Sequence, residues 1–163
     1  TGGYLPMSAT LATSEIYDAF RGTHAESRTF FHGHTYGGNP LAAAAAMGSL
    51  DVFDQEQTLD KLNEKIARFE QNLCGIAEHP HVGDVRQRGL MMGIELVQDN
   101  STRQPYPWQE ARGRSACEAA IANGVWLRPL GDVVVIMPPL SITLDEIDKI
   151  CAAAQAGIDA ATR

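Results

Sequence analysis

The chain has 163 residues, 44% of them hydrophobic and 20% charged, with a net charge of −7, an ordinary composition for a soluble globular protein of one domain or a little more. Its basic residues stand singly, which argues against a nucleic-acid partner, and no apolar run reaches the roughly 20 residues that a membrane span needs. The opening TGGYLPMS has no basic segment followed by an apolar core, so the expected location is cytoplasmic.

Cys74, Cys117 and Cys151 are odd in number and far apart. They are expected to be small buried residues rather than a disulfide or zinc framework.

In chain order, residues 7–12 (MSATLA) suggest a short buried strand. Thr13 then stands as the N-cap of a two-turn helix with acidic residues in its first turn. Residues 21–38 hold Gly, His, Ser and Thr without a period and are expected to form a loop long enough to have a role. Asn39-Pro40 is a cap followed by proline at the first helical position. The helix it begins, 40–53, is Leu and Ala on nearly every face and is expected to be buried on several sides. A second helix, 55–77, carries Leu59, Leu62, Ile66, Phe69, Leu73 and Ile76 on one stripe.

Two short strands follow, 83–87 and 91–97, broken at Gly89, and then a polar loop, DNSTRQPYP. Residues 108–122 suggest a helix stopped by Asn123-Gly124. VWLR and VVVIM suggest two more strands, separated by PLGD. Thr143 and Glu146 form a capping box for the last helix, whose apolar face is Ile147, Ile150, Cys151, Ala154 and Ile158. The expected class is α/β, with a compact α+β unit at the C-terminal end and a boundary that divides 1–54 from 55–163.

Two places carry chemistry. In FFHGHTYGGNP, His32 and His34 flank Gly33, but no nearby Cys or HxxxH spacing completes a ligand set, so no metal is expected. Gly33, Gly37 and Gly38 would let backbone N–H groups approach a ligand, and Thr35 adds a hydroxyl, which suits an anion such as phosphate; a plain glycine-rich turn is the alternative. Arg128 ends a strand and is followed by Pro129, so its planar guanidinium could clamp a carboxylate, or could pair with Asp132 at the surface. Lys61, Lys65 and Lys149 all lie off the apolar stripes and read as solvated rather than as activated amines.

Five segments in order, TGGYLPMSATLAT, FFHGHTYGGNPLA, HPHVGDVRQRGLMMGIELV, QPYP and GVWLRPLGDVVVIMPPL, closely resemble the C-terminal part of the class III aminotransferases that use pyridoxal 5'-phosphate. The resemblance implies a fold-type I transferase, with the end of the large cofactor-binding domain in 1–54 and the small C-terminal domain in 55–163. It is strongest to the members that aminate 8-amino-7-oxononanoate to 7,8-diaminononanoate in biotin biosynthesis, most with S-adenosylmethionine as donor and some with lysine. It implies a homodimer in which the loop of His34 and Thr35 reaches across to hold the cofactor phosphate, with Gly33 beside the substrate. His32 and His34 would shape that loop, and Arg128 would bind the substrate carboxylate. The Schiff-base lysine would lie about three positions before Thr1, so no catalytic lysine falls within these residues and the chain by itself would be inactive. An ω-amino acid:pyruvate type aminotransferase, or a non-catalytic binding or assembly module, are the other readings.

Overall fold

The computed structural model describes all 163 residues, which form two compact units, Thr1–Gln57 and Thr58–Arg163. In the first unit, helix α1 (Ser14–Ala19) starts where Thr13 accepts a hydrogen bond from the Ile16 amide. A short 3₁₀ turn at His24–Glu26 is closed by a capping box between Thr23 and Glu26. Helix α2 (Pro40–Gln55) follows, with the Asn39 side chain accepting from the Leu41 amide and Pro40 needing no partner for its nitrogen.

Two expectations for this unit are corrected. Residues 7–12 form no strand and are exposed, because no neighbouring strand pairs with them in the unit. In α2 only Ala42 is buried, since the unit contains no sheet for the helix to pack upon. Leu41, Met47, Leu50 and Val52 therefore stay exposed.

The second unit opens with α3 (Thr58–Ala77), three residues later than its stripe suggests, because Gln57 takes a left-handed conformation (φ 50°) and breaks the helix. Phe69, Leu73 and Ile76 are buried and Leu62 and Ile66 pack beside them, whereas Leu59, at the frayed start, remains 64% exposed. Strands β1 (Val82–Arg88) and β2 (Met91–Asp99) form a hairpin around Gly89, whose φ of 59° the turn requires. β3 (Gln104–Pro105), in the segment expected to be all loop, pairs with the end of β2.

The helix expected at 108–122 is interrupted. Trp108–Glu110 is a 3₁₀ turn, Ala111 is left-handed, and α4 is Arg112–Ile121, closed by Gly124 at φ 74°. Ala111 offers no capping side chain, so Asp132 supplies one from across the fold, accepting from the Gly113 amide at 2.9 Å. β4 is Arg128–Leu130 rather than 125–128, and β5 is Val133–Ile136. The segment just before β4 still alternates, with Val125 and Leu127 inward and Trp126 outward. Helix α5 (Leu144–Ala161) begins with the expected capping box, in which Glu146 accepts from the Thr143 amide at 2.8 Å and Thr143 accepts from the Glu146 amide.

The sheet is antiparallel in the order β1-β2-β5-β4. Met92, Ile94, Leu96, Val134 and Ile136 point from one face into a core shared with Phe69, Ile147 and Ile158. The crossing of α4 and α5 is close because both helices present small residues there. A side chain at Gly157 would press into the Ala116 carbonyl.

Cys117 and Cys151 are buried, and burial pushes each thiol up to about 11, so both remain protonated and unreactive at neutral pH. Cys74 departs from expectation. It lies on the outer face of α3 and is exposed. Lys61 and Lys149 are exposed, but Lys65 is half-buried and donates to the Leu140 carbonyl at 2.6 Å. No helix is long and apolar enough to cross a membrane.

Candidate functional site

The loop of the first unit is built from short-range contacts. Phe30 stacks on His32 with ring centroids 5.4 Å apart and packs against Phe20 at 5.4 Å. The His34 Nδ1 accepts from the Tyr36 amide at 3.1 Å and its carbonyl accepts from the Gly37 amide at 3.0 Å. Accepting at Nδ1 places the neutral ring's proton on Nε2. His34 is thus a loop-shaping residue in the structure, fixing the turn that contains Thr35.

The turn ends where the Tyr36 carbonyl accepts from the Asn39 amide at 3.2 Å, and α2 follows directly. Gly33 and Gly38 face open space where a side chain would stand, and Gly38 has a φ of 72°. Within the chain no acceptor takes up the Thr35 amide or hydroxyl. Open glycines, a free hydroxyl and the partly positive start of a sixteen-residue helix form a donor set whose chemistry fits a phosphate. Nowhere do three or more His, Cys, Asp or Glu side chains converge as a metal would need.

Arg128 belongs to the second unit, on the sheet face turned away from the helices. Strand pairing sets Arg128 opposite Val135, Val135 opposite Gly93, and Gly93 opposite Arg86. The adjoining row on the same face is Leu130, Val133, Glu95 and Asp84. Trp126 and Leu130 flank Arg128 and are 84% and 72% exposed. The guanidinium has no ion-pair partner in the chain. Asp132, its candidate partner in the sequence, instead caps α4. A permanent cation with apolar neighbours and no internal acid can receive a carboxylate attached to an aliphatic chain.

The family model for class-III aminotransferases matches residues 1–158. The chain belongs to the class-III aminotransferases. Among its class-III relatives, the adenosylmethionine-8-amino-7-oxononanoate aminotransferase of Geobacter sulfurreducens is 52% identical over 91% of this chain and 33% of its own length. The enzyme of the same name from Nitratidesulfovibrio vulgaris is 52% identical over 99% of the chain and 30% of its own length. The crystal structure of the Methanocaldococcus jannaschii enzyme of that name superposes with a TM-score of 0.92 at 44% identity, covering 96% of this chain and 36% of that one. The chain thus spans about a third of the length of the class-III relatives it matches, and the likeness extends through both of its units.

Sequence reasoning missed the ion cluster of Asp84, Arg86 and Glu95 on the same sheet face as Arg128. Arg86 Nη1 lies 2.7 Å from Asp84 Oδ2 and 2.6 Å from Glu95 Oε2. Alternation within GDVRQR and GIEL was the available signal, but only the register of β1 against β2 brings the three together. Also unforeseen was the role of QPYP. Tyr106 packs against the core, its hydroxyl lies 3.1 Å from His81 Nδ1, and Arg112 sits over its ring at 5.1 Å.

Proposed function

We propose that this chain is the C-terminal part of a pyridoxal 5'-phosphate-dependent aminotransferase that converts 8-amino-7-oxononanoate to 7,8-diaminononanoate in biotin biosynthesis, in the cytoplasm. The observation that carries the substrate assignment is the unpaired Arg128 guanidinium beside the apolar Leu130, Val133 and Val135, with Asp132 engaged elsewhere and the acids of the same face held by Arg86. The substrate has the complementary form, a carboxylate at the end of an aliphatic chain. Arg128 fixes that carboxylate and so orients the ketone at the other end; Leu130, Val133 and Val135 offer the chain a surface that releases water when covered.

The Thr35 hydroxyl and amide, in the turn that His34 shapes, would hold the cofactor phosphate across a homodimer interface, with Gly33 leaving room beside the substrate. When bound, the cofactor supplies the electron sink for moving the amino group, and the protein supplies orientation and electrostatics. None of the three lysines is suited to carry it, since Lys65 is engaged by Leu140 and the others are solvated. That amine is assigned, as the resemblance implies, to the N-terminal side of Thr1. The donor is S-adenosylmethionine, following the names of the relatives above.

The test is Arg128→Ala in the complete enzyme. Loss of a charged bidentate contact should raise the KM for 8-amino-7-oxononanoate on the order of tenfold or more. An unchanged KM would remove the assignment of the keto acid.

A further inference from the structure

Arg128 is unpaired on a sheet face that also holds two carboxylates. Glu95 lies two strands away and one step along, about 12 Å between Cα atoms by ordinary sheet spacing. Only Val133 and Val135 stand between them, and the combined length of the two side chains is enough to close that distance. An Arg–Glu pair across the face would occupy the guanidinium that the carboxylate substrate needs. No such pair is present, and Glu95 is instead bound to Arg86 at 2.6 Å.

We infer that Arg86 is a positioning residue for the carboxylate clamp: by engaging Glu95 together with Asp84, it keeps the Arg128 guanidinium available to the substrate. This rests on the assignment of Arg128 to the substrate carboxylate given above.

Three features support it. Arg86 Nη1 lies within 2.7 Å of both acids, so one cation fixes two carboxylates that would otherwise repel each other. Gly93, between Arg86 and Val135 in the row, has no side chain, and the place its Cβ would take is 3.9 Å from Arg86 Nη2, so the guanidinium can lie across β2 to reach Glu95. Finally, the other nearby acid, Asp132, is bound to the Gly113 amide. Glu95 is then the carboxylate on this face that competes for Arg128 once Arg86 is removed. Covering the face with an aliphatic substrate would strengthen that competition by excluding water.

The experiment measures steady-state kinetics of the complete enzyme at saturating donor. Arg86→Met should raise the KM for 8-amino-7-oxononanoate by about tenfold, with kcat at saturation nearly unchanged. Adding Glu95→Gln to that variant should return the KM to the original value, and Glu95→Gln alone should leave it unaltered. A purely structural role for Arg86 would not be rescued by neutralising Glu95. The inference is overturned if the double variant remains as impaired as Arg86→Met, or if Arg86→Met leaves the KM unchanged while Arg128→Ala raises it. If Arg128→Ala itself has no effect, the clamp fails and the role of Arg86 fails with it. Arg86→Gln, with and without Glu95→Gln, repeats the comparison should the methionine variant not fold.

Discussion

Arg68 grips Asp148 with two parallel hydrogen bonds, Nε to Oδ1 at 2.7 Å and Nη2 to Oδ2 at 2.6 Å, joining α3 to α5 across 80 residues of sequence. Asn72, one turn further along α3, donates to the same carboxylate at 2.8 Å. These donors, Arg68 first and Asn72 second, hold the Asp148 carboxyl down to about 2.

A depressed carboxyl makes stability depend on pH. Unfolded, Asp148 titrates near an ordinary value of about 3.9; folded, it titrates near 2. Its contribution is therefore fully present above about pH 4 and is lost as pH falls toward 2. Asp148→Asn should flatten the fall in melting temperature between pH 4 and 2, as followed by circular dichroism. An equally steep fall in the variant would mean that other carboxylates set the acid limit.

The capping box at the start of α5 should be measurable by itself. Thr143→Ala removes the acceptor for the Glu146 amide and should cost about 1 kcal/mol in urea unfolding. Thr143→Ser keeps the oxygen and should recover most of it. Serine and alanine variants of equal stability would show that water caps this helix as well as threonine does.

In the core, Ile94 is fully buried at the centre of β2 and belongs to the same cluster as Ile147 and Ile158 of α5. Ile94→Ala should cost roughly 2–5 kcal/mol through lost burial and the cavity left behind. Gly157→Val should be destabilising for the opposite reason, because its side chain would collide with the Ala116 carbonyl at the α4/α5 crossing. Denaturant midpoints of the two variants check both, and a midpoint near that of the parent for either would contradict the packing described.

At the loop, Thr35→Ala in the complete enzyme should weaken binding of pyridoxal 5'-phosphate by roughly tenfold or more, the effect of losing a hydrogen bond to a charged group. Thr35→Ser should bind nearly as well as threonine. Titration of the cofactor's absorbance in the apoenzyme reads this directly. Equal affinity in the alanine variant would leave the loop with no role at the phosphate.

Much of the second unit was legible from local pattern. The stripe of α3 identified Phe69, Leu73 and Ile76, and the inward face of α5 was correct at Ile147, Cys151, Ala154 and Ile158, because helical period and burial coincide there. Thr143 with Glu146 is a signal complete within four residues. The misplacements have physical causes. Residues 7–12 have strand composition, yet a strand requires a partner and their unit offers none. The break at Ala111 was hidden because its helix is capped by Asp132, twenty-one residues away in sequence. Cys74 sits in an apolar-looking helix but on its outer side.

The sequence by itself determined the family and the types of most elements, and it named candidates for binding an anion or a carboxylate, since motifs, caps and periodicities are local and survive without coordinates. Only the tertiary structure decided which charges are engaged and which are free. Asp132 was removed as a partner for Arg128 by its bond to Gly113, and Glu95 was brought to Arg86 by the register of two strands. Register and long-range pairing are set by how the whole unit buries its apolar faces, and a one-residue slip would turn every one of these side chains to the other face of the sheet.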